Sequence, residues 1–221
     1  MMRATLAALA LGSLLTSACA AVDAAEDSAA EDSAAGAMPA EARTDSGAEQ
    51  LIGQPPAGWR RIGTTNIGTL RRAEYIPEDE SEEAWDRRIT FESMQEDPLP
   101  DPIEFVELMN SDRDYACGTF RAYPTFSGLE NGYPTSVYFL VCHRDRVTER
   151  SEVSMIKTIQ GNEHFYVITR ARRGAPIPRE EAPAMDEAEV GGWAVFMRSI
   201  TLCDPSRADA HPCPETGADA G

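Results

Sequence analysis

Positive charge is scarce in this chain. Its 221 residues carry 20 Lys and Arg against 37 Asp and Glu, a formal net charge of −17. Nucleic-acid binding rests on clustered positive charge, so nucleic acid is set aside as a partner. Lysine occurs once, at Lys157, against 19 arginines; that imbalance reads as GC-rich coding rather than as a task. Catalytic signatures are missing too. There is no H-E-x-x-H, C-x-x-C or G-x-S-x-G, which removes the sequence-level case for a zinc peptidase, a dithiol redox site or a hydrolase nucleophile elbow. No Gly-rich loop is placed to cradle phosphate, since Gly191-Gly192 falls inside a helical pattern. Past the first residues, no apolar run reaches the roughly 20 residues of a spanning helix.

What is present begins at the N-terminus. Met1-Met2-Arg3 is a short basic start, residues 4–15 are small and apolar, and Thr16-Ser17-Ala18-Cys19 is a small-residue exit. This is the layout of a secretory signal peptide over residues 1–18. A cysteine at that exit resembles the lipobox of bacterial lipoproteins. The resemblance implies that Cys19 carries lipid, whose buried methylenes contribute about 0.8 kcal/mol each. The match departs from the pattern at Thr16, where a strong lipobox has Leu; here the Leu is one place early, at Leu15. The alternative is ordinary cleavage at the A-x-A-like Ala18-Cys19-Ala20, giving a soluble exported chain. By resemblance to other lipoproteins, Ala20 after the cysteine favours the outer membrane.

Residues 19–50 hold eight acids and one Arg, with a recurring Ala-Glu-Asp-Ser pattern and almost nothing apolar to bury. The expectation is a disordered acidic tether. Residues 51–203 form one domain's length of chain, itself mildly acidic with 25 acids against 17 bases. Residues 204–221 are a polar tail. Apart from Cys19, four cysteines remain: Cys117, Cys142, Cys203 and Cys213. An even number in an exported chain points to disulfides, and four allow three pairings. The favoured one is Cys117–Cys142 with Cys203–Cys213, the second bridge pinning part of the tail. Each bridge is worth about 2–4 kcal/mol.

Along the domain, residues 58–64 and 67–76 read as strands about a turn at Thr65-Asn66. Ser81 caps a short helical turn carrying Trp85, and residues 88–94 alternate as a third strand. Asp101-Pro102-Ile103-Glu104 is a helix start, with an Asp cap, Pro at the first position and Glu at the third. That helix runs to about residue 115 and buries Ile103, Phe105, Val106 and Met109. Residues 119–126 and 135–142 follow as strands, with Asn131-Gly132 inside a longer connection. The second of these is apolar on both faces and so expected to be central. Residues 152–159 and 164–172 make a hairpin. Residues 184–200 are helical, with Trp193, Phe196, Met197 and Ile200 on one face; Gly191-Gly192 is expected to permit close packing on the sheet. The class is α+β: an antiparallel sheet of about seven strands with helices packed on its faces.

Gly58-Trp59, Tyr75-Ile76-Pro77-Glu78 and Glu83-Ala84-Trp85 leading into Ile89-Thr90, with a hairpin and helix at the end, resemble PsbP-like domains, implying a PsbP-like sandwich. A second resemblance is to uncharacterised proteobacterial envelope proteins. It rests on Asn131-Gly132-Tyr133-Pro134, Val141-Cys142, Ile159-Gln160-Gly161-Asn162, Phe165-Tyr166-Val167 and Cys203-Asp204 with His211-Pro212-Cys213-Pro214. PsbP-like domains are protein-binding or assembly modules, which the resemblance extends to this chain.

Candidate chemistry is sparse. A metal site from Cys142, His143 and a further cysteine competes with disulfide use of the same thiols. Ser127 and Ser154 have no evident base beside them, and a triad is recognised by geometry rather than spacing. Arg72, Arg88 and Arg170 would make an anion-binding groove if their strands were neighbours; the plain alternative is solvated strand ends paired with Glu74 and Glu92. Trp59 and Tyr133-Pro134 are candidate partner contacts, against ordinary core or turn roles. The expected function is an exported, lipid-anchored, non-enzymatic binding or assembly module without cofactor. It would engage an envelope protein and touch the membrane through Cys19. A periplasmic small-anion-binding domain on the Arg-bearing sheet face is the alternative, and a cryptic enzyme the third reading.

Overall fold

The computed structural model describes residues 49–214. The signal-like segment, Cys19, the acidic stretch to residue 48 and residues 215–221 lie outside the described residues. In chain order the elements are β1 (Gln50–Ile52), β2 (Trp59–Ile67), β3 (Leu70–Pro77), β4 (Arg87–Met94), α1 (Pro102–Ala116), β5 (Phe120–Glu130), β6 (Tyr133–Cys142), β7 (Ser151–Gln160), β8 (Phe165–Gly174), α2 (Glu187–Ser199) and β9 (Thr201–Cys203). The described chain is mostly β with two α-helices. Seven strands form one antiparallel sheet in the order β2-β3-β4-β8-β7-β6-β5, and β1 pairs with β9 in a second, two-stranded sheet. The sequence reading did not anticipate this small sheet. Three-residue strands carry too little alternation to be recognised locally.

Turn chemistry explains several boundaries. The β2–β3 turn falls at Gly68-Thr69 rather than Thr65-Asn66, because Gly68 takes φ 57° where a β-branched Thr would be strained. Asn131 (φ 50°) and Gly132 (φ 82°) are not inside a longer connection: they are the whole β5–β6 turn, as a two-residue hairpin with positive φ at both positions requires. At Gly132 a Cβ would also sit 2.9 Å from the Ala210 carbonyl oxygen and 2.8 Å from His211 Nδ1. Trp85 lies in a turn, not a helix, and is buried. Pro124 is tolerated because β5 is an edge strand, with a register shift between Pro124 and Phe126.

Residues in register across neighbouring strands share a sheet face. One face packs Tyr75, Ile89, Phe91, Met155 and Ile168 against Trp193, Phe196, Met197 and Ile200 of the α2 segment. The other packs Tyr138, Leu140, Ile156, Phe165 and Val167 against Val106, with Phe105 and Met109 alongside. Helices therefore cover both faces, and β6 is buried on both sides although it lies one strand from the edge. Asp101 caps α1 by accepting from the N–H groups of Ile103 (2.8 Å) and Glu104 (3.2 Å). Ile103 is exposed, not buried: Val106 and Met109 share the inward stripe with Pro102, and Ile103 lies about 100° round the helix from Pro102. Gly191 and Gly192 would each meet nothing within 4 Å on gaining a Cβ, so they do not serve close packing.

Candidate functional site

The three arginines singled out from the sequence sit on adjacent strands, β3, β4 and β8, but not on one face. Arg72 is in register with Glu92, Glu92 with Val167, and Arg88 with Ala171, which places Arg72 and Arg88 on the α1 face. There each is paired: Arg72 Nε donates to Glu92 (2.6 Å) and Arg88 Nη1 to Glu74 (3.1 Å). Arg173 joins them from β8, donating to Glu152 at 3.0 Å. Arg88 and Arg173 both lie over the Trp85 ring, at 4.1 and 3.7 Å from its centroid. Burial pulls the Arg88 guanidinium below its ordinary value, with the Glu74 charge opposing. Charges, acids and indole are mutually satisfied, so this cluster holds the β3–β4–β8 end of the sheet together.

Arg170 is different. Its row runs Arg61, Tyr75, Ile89, Arg170, Met155 across five strands, on the α2 face. Its guanidinium lies 5.9 Å from the Trp59 ring, 5.4 Å from Trp193 and 5.3 Å from Phe196. Three aromatic walls thus surround one cation, each within the roughly 6 Å over which a ring face attracts it. Burial pulls its pKa below the ordinary value; Glu189 opposes this and Arg87 adds to it. Yet Glu189 is taken by Arg172 at 2.6 Å, and Arg87 by Glu80 and Asp79. Among the described residues, every arginine that is not exposed has a carboxylate within 4 Å except Arg170. The sequence signal was only the position of Arg170 shortly after the apolar run at residues 165–168 of β8.

The remaining candidates are scattered. Cys117–Cys142 and Cys203–Cys213 are bridged, with Cα–Cα distances of 5.6 and 4.9 Å, so Cys142 and His143 do not stand as a free ligand pair. His143 Nδ1 is 3.2 Å from the Pro178 carbonyl. His211 stacks on Tyr133 at 4.1 Å, with Nδ1 2.9 Å from the Asn131 carbonyl. Asn131 in turn donates to the carbonyls of Leu202 and Pro212, so the disulfide loop is docked on the β5–β6 turn. The His164 and Tyr166 rings lie 6.1 Å apart, tilted by 42°. The Ser154 hydroxyl is 3.4 Å from Arg113, and Ser136 bonds Thr158 and the Pro102 carbonyl, fixing the start of α1 to the sheet. Ser127 lies on edge strand β5 opposite Ser136. Trp59 is half-buried beside Arg170, and Tyr133 is buried. A cavity of about 260 Å³ opens under the Pro-rich loop, lined by Val153, Arg172, Arg173, Ile177, Glu181 and Met185 among others; its two arginines are paired with Glu189 and Glu152. Among the described residues no group of three His, Cys, Asp or Glu is placed to hold a metal, and no helix is long and apolar enough to cross a membrane.

Two buried charges escaped the sequence reading. Glu49, assigned to the tether, is 2% exposed. Its carboxylate accepts from the Asn162 N–H at 2.7 Å and lies 3.5 Å from the Tyr166 hydroxyl. The folded chain thus begins before Leu51, with Gln50 in β1. Lys157 is fully buried and donates to the carbonyls of Met197 (3.0 Å) and Ile200 (2.6 Å) at the end of α2, while pairing with Glu130. Burial pulls its pKa down, against the pull of Glu130. A compact ammonium with three donors suits three converging acceptors at a helix C-terminus better than a planar guanidinium.

No protein-family model matches the chain, and a search of curated proteins finds no match. Neither of the two sequence resemblances therefore has a family match behind it. Among solved structures, the chain is similar to LpqN involved in cell envelope biogenesis of Mycobacterium tuberculosis, with 11% identity and a TM-score of 0.43 over 72% of this chain and 86% of that one. At that TM-score the likeness carries no argument about function.

Proposed function

We propose that the protein is an exported envelope lipoprotein, anchored through Cys19, whose disulfide-braced domain is a non-enzymatic binding or assembly module. One observation carries the reading: the four other cysteines are paired with each other in two bridges, which leaves Cys19 as the odd thiol of the chain. Disulfides belong to oxidising compartments, and an odd cysteine directly after a signal-like apolar run is where a lipid anchor goes. The acidic segment between Cys19 and Glu49 would hold the domain off an anionic surface. Ala20 favours the outer membrane, facing the periplasm. The dispersal of His143, His164, His211, Ser127 and Ser154 over separate structural contacts supports a binding rather than a catalytic role. The helix-flanked sheet is kept as PsbP-like within this reading.

The test is the intact mass of the protein taken from membranes of its native host, before and after reduction with alkylation. The expected species starts at Cys19, carries acyl mass and exposes no thiol until reduced. A chain starting at Ala21 without lipid would replace the anchor with soluble export. Thiols free before reduction at Cys117, Cys142, Cys203 or Cys213 would overturn the braced domain.

A further inference from the structure

The unpaired cation on the α2 face calls for an explanation. Burying a guanidinium strips water from its N–H donors, and donors left without an acceptor inside a protein are costly. Everywhere else in the described chain that cost is met: each half-buried arginine has its carboxylate. Among the described residues Arg170 has none, and its guanidinium shows ring contacts and longer-range charges but no hydrogen bond to a protein acceptor. Its rings hold it at 5.3–5.9 Å, against 3.7 and 4.1 Å for the two guanidiniums stacked on Trp85. The aromatic walls thus attract the cation without closing on it, and its N–H edges stay uncommitted. Along the same cross-strand row, Arg61 is exposed and, among the described residues, also lacks a carboxylate within 4 Å, so the positive field here is not cancelled by them. The nearby acids are occupied: Glu189 by Arg172, Asp79 and Glu80 by Arg87.

We propose that the Arg170 guanidinium, set between Trp59, Trp193 and Phe196, is the seat of a ligand carboxylate, and that the ligand is a small organic acid with an apolar or aromatic body. The guanidinium fork matches a carboxylate with two parallel N–H···O bonds. The surrounding rings shield part of the half-buried guanidinium from water, which strengthens that pairing, and offer faces and edges for the ligand's body. A single cation walled by indoles suits a monoanion of this kind. A bare phosphate, strongly hydrated and up to doubly charged, would find aromatic walls around Arg170 where it needs further hydrogen-bond donors. Ligand capture at Arg170 is independent of the Cys19 anchor, so either can fail without the other.

The experiment titrates the full chain, disulfides intact, with benzoate, phenylpropionate and octanoate, following the indole resonances of its three tryptophans. Trp85, on the opposite face against Arg88 and Arg173, is an internal control. The expected result is saturable binding by at least one acid with Kd of about 1 mM or tighter, moving Trp59 and Trp193 but not Trp85. The matching amide and inorganic phosphate should leave all three in place. Arg170→Gln should weaken binding at least tenfold while the Trp85 resonance holds and the melting temperature falls by no more than a few degrees, because the charge removed had ring contacts but no carboxylate among the described residues. Arg170→Lys should retain part of the affinity. Arg61→Gln, at an exposed position with no carboxylate partner among the described residues, should weaken binding a few-fold and keeps the test open if the Arg170 variants misfold. Absence of saturation with all three acids, equal binding of phosphate, or affinity unchanged in Arg170→Gln would overturn the proposal.

Discussion

Lys157→Met removes the chain's only lysine and replaces it with an apolar side chain of similar length. Three acceptors lose their donor. The Ile200 carbonyl, at 2.6 Å from Nζ, is left unmatched in the core, at about 1–3 kcal/mol. The Met197 carbonyl still accepts from the Ile200 N–H at 3.4 Å, so its loss is placed at about 0.5–1 kcal/mol. Glu130 loses its cation, but its side chain keeps 30% exposure, so the about 3–5 kcal/mol of a fully buried broken pair shrinks to about 1. The sum is about 2.5–5 kcal/mol, or about 5–20 °C in Tm for a domain of this size. Urea and thermal unfolding measure it. The double variant Lys157→Met, Glu130→Gln should recover the Glu130 share of about 1 kcal/mol and leave the carbonyl share of about 1.5–4 kcal/mol. A second assay uses amine-reactive ester: Lys157 should label only as the domain unfolds, since its ammonium is enclosed. Loss of less than about 0.5 kcal/mol in Lys157→Met, full recovery in the double variant, or labelling of Lys157 in the native protein would refute the capping role, because a real capping loss stands above the usual scatter of surface substitutions.

Two further expectations concern glycines and alkaline pH. Gly191→Ala and Gly192→Ala should each stabilise by up to about 1 kcal/mol in urea melts, whereas Gly161→Ala, whose Cβ would run into the buried Glu49 carboxylate, should cost about 1–3 kcal/mol and become silent in a Glu49→Ala background. Burial first, and the Glu49 charge second, raise Tyr166 and Tyr133 well above their ordinary value. Above about pH 10 the unfolded chain therefore sheds phenolic protons that the folded chain keeps, and stability should fall by up to about 1.4 kcal/mol per pH unit for each tyrosine. Lys157, with its pKa lowered, acts in the opposite direction below about pH 10.5, where the unfolded chain holds the extra proton. The tyrosinate absorbance of Tyr166 and Tyr133 should appear together with unfolding; full ionisation of Tyr166 in a still-folded protein would contradict this account.

Elements governed by neighbours in the chain were readable from it. The stripe Trp193, Phe196, Met197 and Ile200 is buried as its spacing requires, because helical period alone decides which side chains share a face. The Asp101 cap and the Asn131-Gly132 turn rest on the conformational preferences of single residues. Both disulfides join segments that already lie beside each other, Cys117 and Cys142 flanking the β5–β6 hairpin and Cys203 and Cys213 closing a short loop. What depends on distant pairing was not readable. Arg72, Arg88 and Arg170 were expected to form a groove only if their strands were neighbours; the strands are neighbours, but a one-residue difference in register sends a side chain to the opposite face, and Arg170 parts from the other two there. Glu49 belongs to the fold only because the turn at residues 161–163, more than a hundred positions away, presents N–H groups to its carboxylate. Lys157 looked like a coding accident until α2 ended over it. Local conformational preference acts over a few residues and is written in order along the chain; the partner of a buried charge is set by which segments the sheet and helices bring together, and that is decided only in three dimensions.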